Sequence, residues 1–534
     1  YNHYYMSSYD PSSMEYKITR IGDEQSTALT NDGSRNGDRK MYFQAILDYN
    51  RIFKEVHDLN IMFLYNQEQY DINGPTTLFS SLPQRKQGVA GRVSYSYDGR
   101  YYIEGNFGYN GSENFAKGHR FGFFPSIAVG YNISNEKFWQ PIKPVISNLK
   151  IRGSWGLVGN DATNAGRFAY MEDLVLGGSD SYTTGIRQDT YYSGPSWNRY
   201  FNPDLTWEVG EKINLGLDLQ LFNDFNLTFD IFREKRRDIF MTRENSIPEI
   251  VGTGETKITS NNGEMENKGL DLAIDYNKQI TKDFFLSFKS TLTFARNKVL
   301  KMDEPPYFEY PGLSDVGHPL GTYWGYVADG LFPDQETIDN SPRQDLGYTP
   351  QPGDIKYVNQ PNAKGEYDNV INSNDRVAIG HPYDPELVYG FGPSMKWKNW
   401  DFSFFFQGVA RTSFMMYGMH PFGTTSIKNM LQFVADDHWS VDNPNPNAAY
   451  PRLTKDSNGN NDQYSTYWLR NAAFLKLKNA EIGYTYKGMR FYLSGVNLLT
   501  FSPFKHWDPE MGGGNGLYYP TQRVFNIGFQ MTIQ

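Results

Sequence analysis

The chain has 534 residues, with 51 Lys and Arg against 60 Asp and Glu, a formal net charge of −9 and a pI near 5.5. That acidic balance argues against nucleic acid as a partner, because phosphate binding needs a basic face. A content of 39% hydrophobic and 21% charged residues is that of a folded chain, and the lack of Cys excludes disulfides and thiolate metal sites.

No run approaches the roughly 18 apolar residues of a spanning helix. The mean hydropathy of −0.61 does not exclude a membrane-crossing sheet, whose strands show lipid on one face only. Tyr1–Asp10 is polar and aromatic, unlike a signal peptide, so an exported protein would here be mature or a portion of a longer chain.

Period-two alternation predicts strands near 13–22, 40–53, 59–69, 87–97, 101–109, 122–132 and 149–158. In the second of these, Met41, Phe43, Ala45, Leu47 and Tyr49 face away from Gln44, Asp48 and Asn50. The longest alternation runs from Trp207 to Leu221. Trp207, Val209, Ile213, Leu215, Leu217, Leu219 and Leu221 share one face with Glu211, and Glu208, Gly210, Lys212, Asn214, Gly216, Asp218 and Gln220 share the other. Ordinary strands average about 5–6 residues, so this length suits a tilted strand that crosses a bilayer. Further strands are predicted at 225–240, 264–278, 284–297, 387–397, 401–411, 474–486, 490–499 and 522–533. Phe284, Leu286, Phe288, Leu292 and Phe294 repeat the pattern, as do Phe525, Ile527, Phe529, Met531 and Ile533.

The connections alternate in length. Short turns fall at Lys54–Asp58, Asp98–Arg100, Asn223–Asp224, Thr281–Asp283, Lys398–Trp400 and Lys487–Met489, with a medium one at Ser134–Asn148. Long links cover about 70–86, 110–121, 159–206, 241–262, 298–386, 412–473 and 500–521. Outer-membrane barrels alternate short periplasmic turns with long extracellular loops in this way. The expected fold is therefore all-β, a transmembrane antiparallel β-barrel. Aromatic content of 16% suits the girdles of such a barrel. Sixteen strands on their own fit a passive porin. An amphipathic sheet of a soluble, carbohydrate-binding protein stays open as an alternative with shorter strands.

Chemistry-bearing motifs are few. There is no GxSxG, HExxH, Walker A or CxxC, and no catalytic set, so an outer-membrane enzyme is disfavoured. The histidines His3, His57, His119, His318, His381, His420, His438 and His506 are scattered, without ligand spacing, and no metal or cofactor is expected. The run DNVINSND from Asp368 to Asp375 lacks the order of a Ca²⁺ loop, and GGGNG at 512–516 has no strand–helix setting for a phosphate cradle. Two links concentrate aromatics, YTTGIRQDTYYSGPSWNRYFN at 182–202 and LGTYWGYVADGLF at 320–332. Tyr191, Tyr192, Trp197, Tyr323 and Trp324 are the candidates for ligand or partner contact; alternatively they pack the loops together.

A series of segments resembles the SusC/RagA family of TonB-dependent outer-membrane transporters. These are RVSYSYDGRYYIEGNFGYNGSENFAKGHRFGFFPSIAVGYNISNE at 92–136, ISNLKIRGSWGLVGND at 146–161, NPDLTWE at 202–208 and NNGEMENKGLDLAIDY at 261–276. VGHPLGTYWGYVADGLF at 316–332, GDIKY at 353–357, DRVAIGHPYDPELVYGFG at 375–392, NAAFLKLKNAEIGYTY at 471–486 and GVNLLTFSPFKHWDPEM at 495–511 continue it. The resemblance implies a barrel of 22 strands with an N-terminal plug, and uptake of glycans or oligopeptides powered by the TonB complex. It also implies a SusD-like surface lipoprotein over the loops as partner, and the Gram-negative outer membrane as location. Residues 1–534 are then expected to be the C-terminal barrel portion, about 16 of the 22 strands, with the plug and TonB box outside this chain. The segment after GDIKY, VNQPNAKGEYDNVINSND, and the ending Thr532–Ile533–Gln534 depart from the family pattern.

Overall fold

A computed structural model describes residues 3–21, 37–75, 77–163, 166–177, 181–243, 245–251, 258–417, 431–454 and 458–531. His420 and the terminal Thr532–Ile533–Gln534 lie outside the described residues. The chain divides into two units, Tyr1–Met41 with Gln69–Pro83, and Tyr42–Glu68 with Gln84–Gln534.

In the first unit His3–Asp10 pairs antiparallel with Glu15–Ile21. Asp10 accepts the backbone N–H and the hydroxyl of Ser12, which closes the turn at Pro11–Met14. The strand expected at 13–22 is thus half of a local hairpin and does not join the large sheet. A four-residue turn costs little loop-closure entropy, so the nearest partner wins. The partner HYYMSSYD has no clean alternation, which is why the sequence did not show it.

Among the described residues the large sheet has fifteen strands. They are β1 (Gly37–Phe53), β2 (His57–Asn73), β3 (Gln84–Tyr97), β4 (Tyr101–Ser112) and β5 (Phe121–Asn132). Then come β6 (Ile146–Asn160), β7 (Glu208–Leu221), β8 (Phe225–Arg243), β9 (Ile258–Thr281) and β10 (Phe284–Lys301). The last are β11 (Leu387–Trp397), β12 (Trp400–Ala410), β13 (Phe474–Tyr486), β14 (Met489–Phe501) and β15 (Val524–Met531). Each strand pairs with the next in the chain, and no pairing joins β1 to β15 among the described residues. Backbone geometry explains the short turns. Asp98–Gly99, Phe222–Asn223 and Lys487–Gly488 each place two consecutive residues at positive φ, the conformation of tight hairpins whose twist matches that of their strands.

The two faces of the sheet differ as the alternation requires. On one, Ile213, Ile231, Leu270 and Phe294 lie in cross-strand rows with Leu215 and its neighbours, and Leu215 is 56% exposed and Ile231 51% exposed. Among the described residues no core covers them. The buried apolar clusters lie in the long loops instead. On the opposite face Arg152 sits 3.2 Å from Asp218 and 2.7 Å from Asp230, Arg490 pairs with Asp401 and Glu481, and Thr293 donates to Asp271. An exposed apolar face backed by an ion-paired polar face is the pattern of a strand between lipid and a wet interior.

Charge marks the upper edge of the apolar face. Ile213 lies beside Arg233, Arg233 beside Lys268, and Lys268 beside Arg296. From this row to Leu221 at the short turn, eight residues at about 3.4 Å each, tilted roughly 40°, span about 21 Å. An outer-membrane apolar band is about 25 Å tall. Aromatics line the short-turn edge: Tyr101 stacks on Tyr131 at 5.1 Å, and Trp400 meets Tyr484 at 4.8 Å. That is the girdle position.

Candidate ligand-binding surface of the long loops

The long loops build apolar cores of their own. The larger one joins Tyr326, Leu331, Ile355, Tyr357 and Ile379 from the 302–386 link to Phe414, Trp439, Tyr450, Trp468 and Phe504 from the later links. Its polar centre is Asp354, wholly buried. Asp354 Oδ1 accepts from Arg452 Nε at 2.7 Å, Asn458 Nδ2 at 3.0 Å and Asn461 Nδ2 at 2.9 Å, and Oδ2 accepts the Gln351 N–H at 2.8 Å. A buried carboxylate is tolerable only when its acceptor sites are filled in this way. The smaller core packs Trp207 against Phe115 and Phe124, with ring centres 5.5 and 5.4 Å away, and Trp207 Nε1 donates to the Arg120 carbonyl. Trp207 was expected on the apolar face of a strand; it is buried in a loop core, and β7 begins one residue later.

A second buried charge ties a loop to the sheet. Lys476 on β13 is wholly buried and holds Asp508 at 2.6 Å and Glu510 at 2.5 Å. Burial is the largest influence and raises both carboxyls, but hydrogen bonds and charge from Lys476, joined by Thr521 and the Glu510 N–H at Asp508 and by Lys478 at Glu510, together hold each below the ordinary carboxylate value.

The five candidates fall into two groups. Tyr191 and Tyr192 lie on a hairpin of Ser181–Thr184 with Thr190–Ser193, where Tyr192 stacks on Tyr182 at 5.3 Å. Trp197 lies on Ser196–Arg199 and stacks on Tyr200 at 5.8 Å. All three are exposed. Tyr323 is half-buried against the larger core; burial pushes its hydroxyl up to about 12, with smaller contributions from Tyr383 and Tyr464. Trp324 is committed internally: its Nε1 donates to Asp315 at 2.6 Å and the His318 ring meets it edge-on. Among the described residues no group of three or more His, Asp or Glu is arranged to hold a metal ion. Asp375 of the DNVINSND run accepts the Gln360 and Asn372 N–H groups and organises its own loop.

The family profile described as "TonB dependent receptor-like, beta-barrel" matches residues 1–498. The chain belongs to this family. It is a family of outer-membrane proteins, and SusC is among the relatives of this chain. The TonB-dependent receptor SusC of Bacteroides thetaiotaomicron is 29% identical over 468 residues, 83% of this chain and 43% of the relative. The TonB-dependent receptor P3 of Formosa agariphila is 27% identical over 478 residues, 83% of this chain and 45% of the relative. The chain thus spans about half the length of the curated relatives it matches. Among solved structures, the RagAB peptide importer in its closed-closed state aligns with a TM-score of 0.71 at 21% identity, over 93% of this chain and 56% of that one. At that identity the likeness concerns the fold.

Proposed function

We propose that the chain is the C-terminal barrel portion of an active nutrient importer. The observation that carries this reading is the sheet itself: an exposed apolar face, a polar ion-paired face and long loops folded on one side of the strand pattern. Further strands, to a total of 22, complete the sheet between β1 and β15, since an unpaired edge in lipid costs several kcal/mol per backbone group. A plug fills the interior, and the polar face forms its wall. Energy comes from the TonB complex through a segment outside this chain, and a SusD-like lipoprotein covers the long loops at 159–206, 298–386 and 412–473. The cargo is a glycan or an oligopeptide; the RagAB neighbour is named as a peptide importer. Tyr191, Tyr192, Trp197 and Tyr323 contact cargo or lid, and Trp324 offers them only the ring face that its bond to Asp315 leaves free.

The test is uptake by cells that carry the whole protein, with and without TonB. Uptake abolished by loss of TonB, or by a protonophore, supports an energised importer. Uptake that persists undiminished, together with a steady open conductance in planar bilayers, establishes a passive porin instead.

A further inference from the structure

The loops bring five tyrosines to one place, and only Tyr323 stood out from the sequence. Three of the other four are placed by backbone hydrogen bonds within the loops. The Tyr383 N–H donates to the Gly321 carbonyl at 3.2 Å, and its carbonyl accepts the Thr412 hydroxyl at 2.8 Å. The Tyr417 N–H donates to the Gly514 carbonyl at 3.1 Å, and the Gly514 N–H donates back to Met415 at 2.8 Å. The Tyr464 carbonyl accepts the Tyr326 N–H at 2.9 Å.

The glycine run singled out at 512–516 is the floor of this group. A Cβ on Gly514 would stand 3.3 Å from the Tyr518 ring and 3.7 Å from the Tyr417 ring, and one on Gly512 would stand 3.7 Å from the Tyr383 hydroxyl. Both glycines adopt positive φ, so they give the rings room and a backbone path that other residues would strain. Tyr323 stands two residues from Gly321, which holds the Tyr383 N–H, and two from Gly325, whose Cβ would stand 2.4 Å from the Tyr464 carbonyl. Tyr383, Tyr417, Tyr464 and Tyr518 nonetheless remain 57%, 51%, 47% and 55% exposed. Rings anchored through the backbone yet left half in solvent are shaped for something outside the chain.

We propose that Tyr323, Tyr383, Tyr417, Tyr464 and Tyr518 form a binding platform for a neutral oligosaccharide. A pyranose offers a flat C–H face with a rim of hydroxyls, and a phenol offers an apolar face with one hydroxyl that both donates and accepts. The five side chains are uncharged at neutral pH. A peptide brings charged termini and side chains, which need charged partners once desolvated, and the platform supplies none of its own. This assignment rests on the importer reading and names its cargo class.

The experiment is calorimetric titration of the full-length protein with its natural partners. One arm uses maltohexaose, cellohexaose, laminarihexaose and mannohexaose; the other uses a tryptic digest of casein. The variants are Tyr464→Ala with Tyr518→Ala, and Tyr417→Phe, which keeps the ring. Tyr367→Ala is the control, an exposed tyrosine elsewhere on the 302–386 link. The expected result is binding of at least one oligosaccharide, weakened roughly tenfold or more in the double variant, less in Tyr417→Phe, and unchanged in the control. Oligosaccharide binding that the double variant leaves intact overturns the site while the importer reading stands. Binding of peptides alone, or of neither class, overturns the cargo class. Energised uptake in cells is scored separately; its absence overturns the importer reading as well.

Discussion

Replacing Lys476 by Met tests how the 502–522 loop is fastened to the sheet. The ammonium is wholly buried and holds two carboxylates within 2.6 Å. Removing one partner of a buried ion pair costs about 3–5 kcal/mol, because the remaining charge is left uncompensated. Here Asp508 and Glu510 keep 19% and 22% of their side-chain surface, and Glu510 retains Lys478 at 2.9 Å. The lower end, about 3 kcal/mol, is therefore expected, or roughly two powers of ten in the folding equilibrium at about 1.4 kcal/mol per tenfold. The assay is urea unfolding in detergent micelles followed by far-UV circular dichroism, with hydrogen exchange over 502–522 to locate the loss. The pH dependence follows in sign. Both carboxyls titrate below their unfolded values, so their contribution is complete above the unfolded value near pH 4 and is lost as pH falls through the folded ones. The gap between wild type and variant should accordingly shrink in acid. Adding Asp508→Asn and Glu510→Gln to Lys476→Met should restore much of the stability, because no charge is then stranded. A Lys476→Met protein as stable as wild type at neutral pH, or a triple variant no better than the single, refutes this account.

Arginine scanning along β7 should show a depth gradient: Leu217→Arg, midway between the Ile213–Arg233 row and the turn at Phe222–Asn223, costs about 2–4 kcal/mol, whereas Leu215→Arg, one row below the charged edge, costs closer to 1 kcal/mol. Folding titrations into lipid vesicles measure this, and equal costs would contradict the bilayer placement. Gly353→Ala should destabilise the larger loop core by roughly 3 kcal/mol, through overpacking and a strained backbone, since its Cβ would fall 2.2 Å from the Trp439 ring at a φ of +88°; faster hydrogen exchange over 431–450 is the readout. Tyr323 should ionise near pH 12, visible at 295 nm as a late phase missing from Tyr323→Phe. Because its folded value lies above the unfolded value near 10, stability should decline as pH rises from about 10 to 12.

The spanning strands were legible because alternation and turn chemistry are local. β11 and β13 fall on the expected residues, 387–397 and 474–486, where a period of two is bounded by Lys398 at positive φ and by Lys487–Gly488. Whichever strand pairs with which, one face of such a segment must be apolar, and a short turn leaves only the next strand as partner. The strand His3–Asp10, which pairs with Glu15–Ile21, escaped because pairing with a near neighbour does not depend on a hydrophobic pattern.

What the tertiary structure alone decided lies in the links. Trp207 and Leu215 share a parity in the sequence, yet one is buried beside Phe115 and the other exposed on the sheet. Lys476 alternates like any polar strand residue, and its burial depends on Asp508 and Glu510, more than thirty residues away. Tyr323 and Tyr518 belong to one group although nearly two hundred residues separate them. Irregular backbone carries no period from which a facing side can be read. Whether an aromatic or a charge there is buried, paired or exposed is set by contacts between distant segments, and those exist only once the chain has folded.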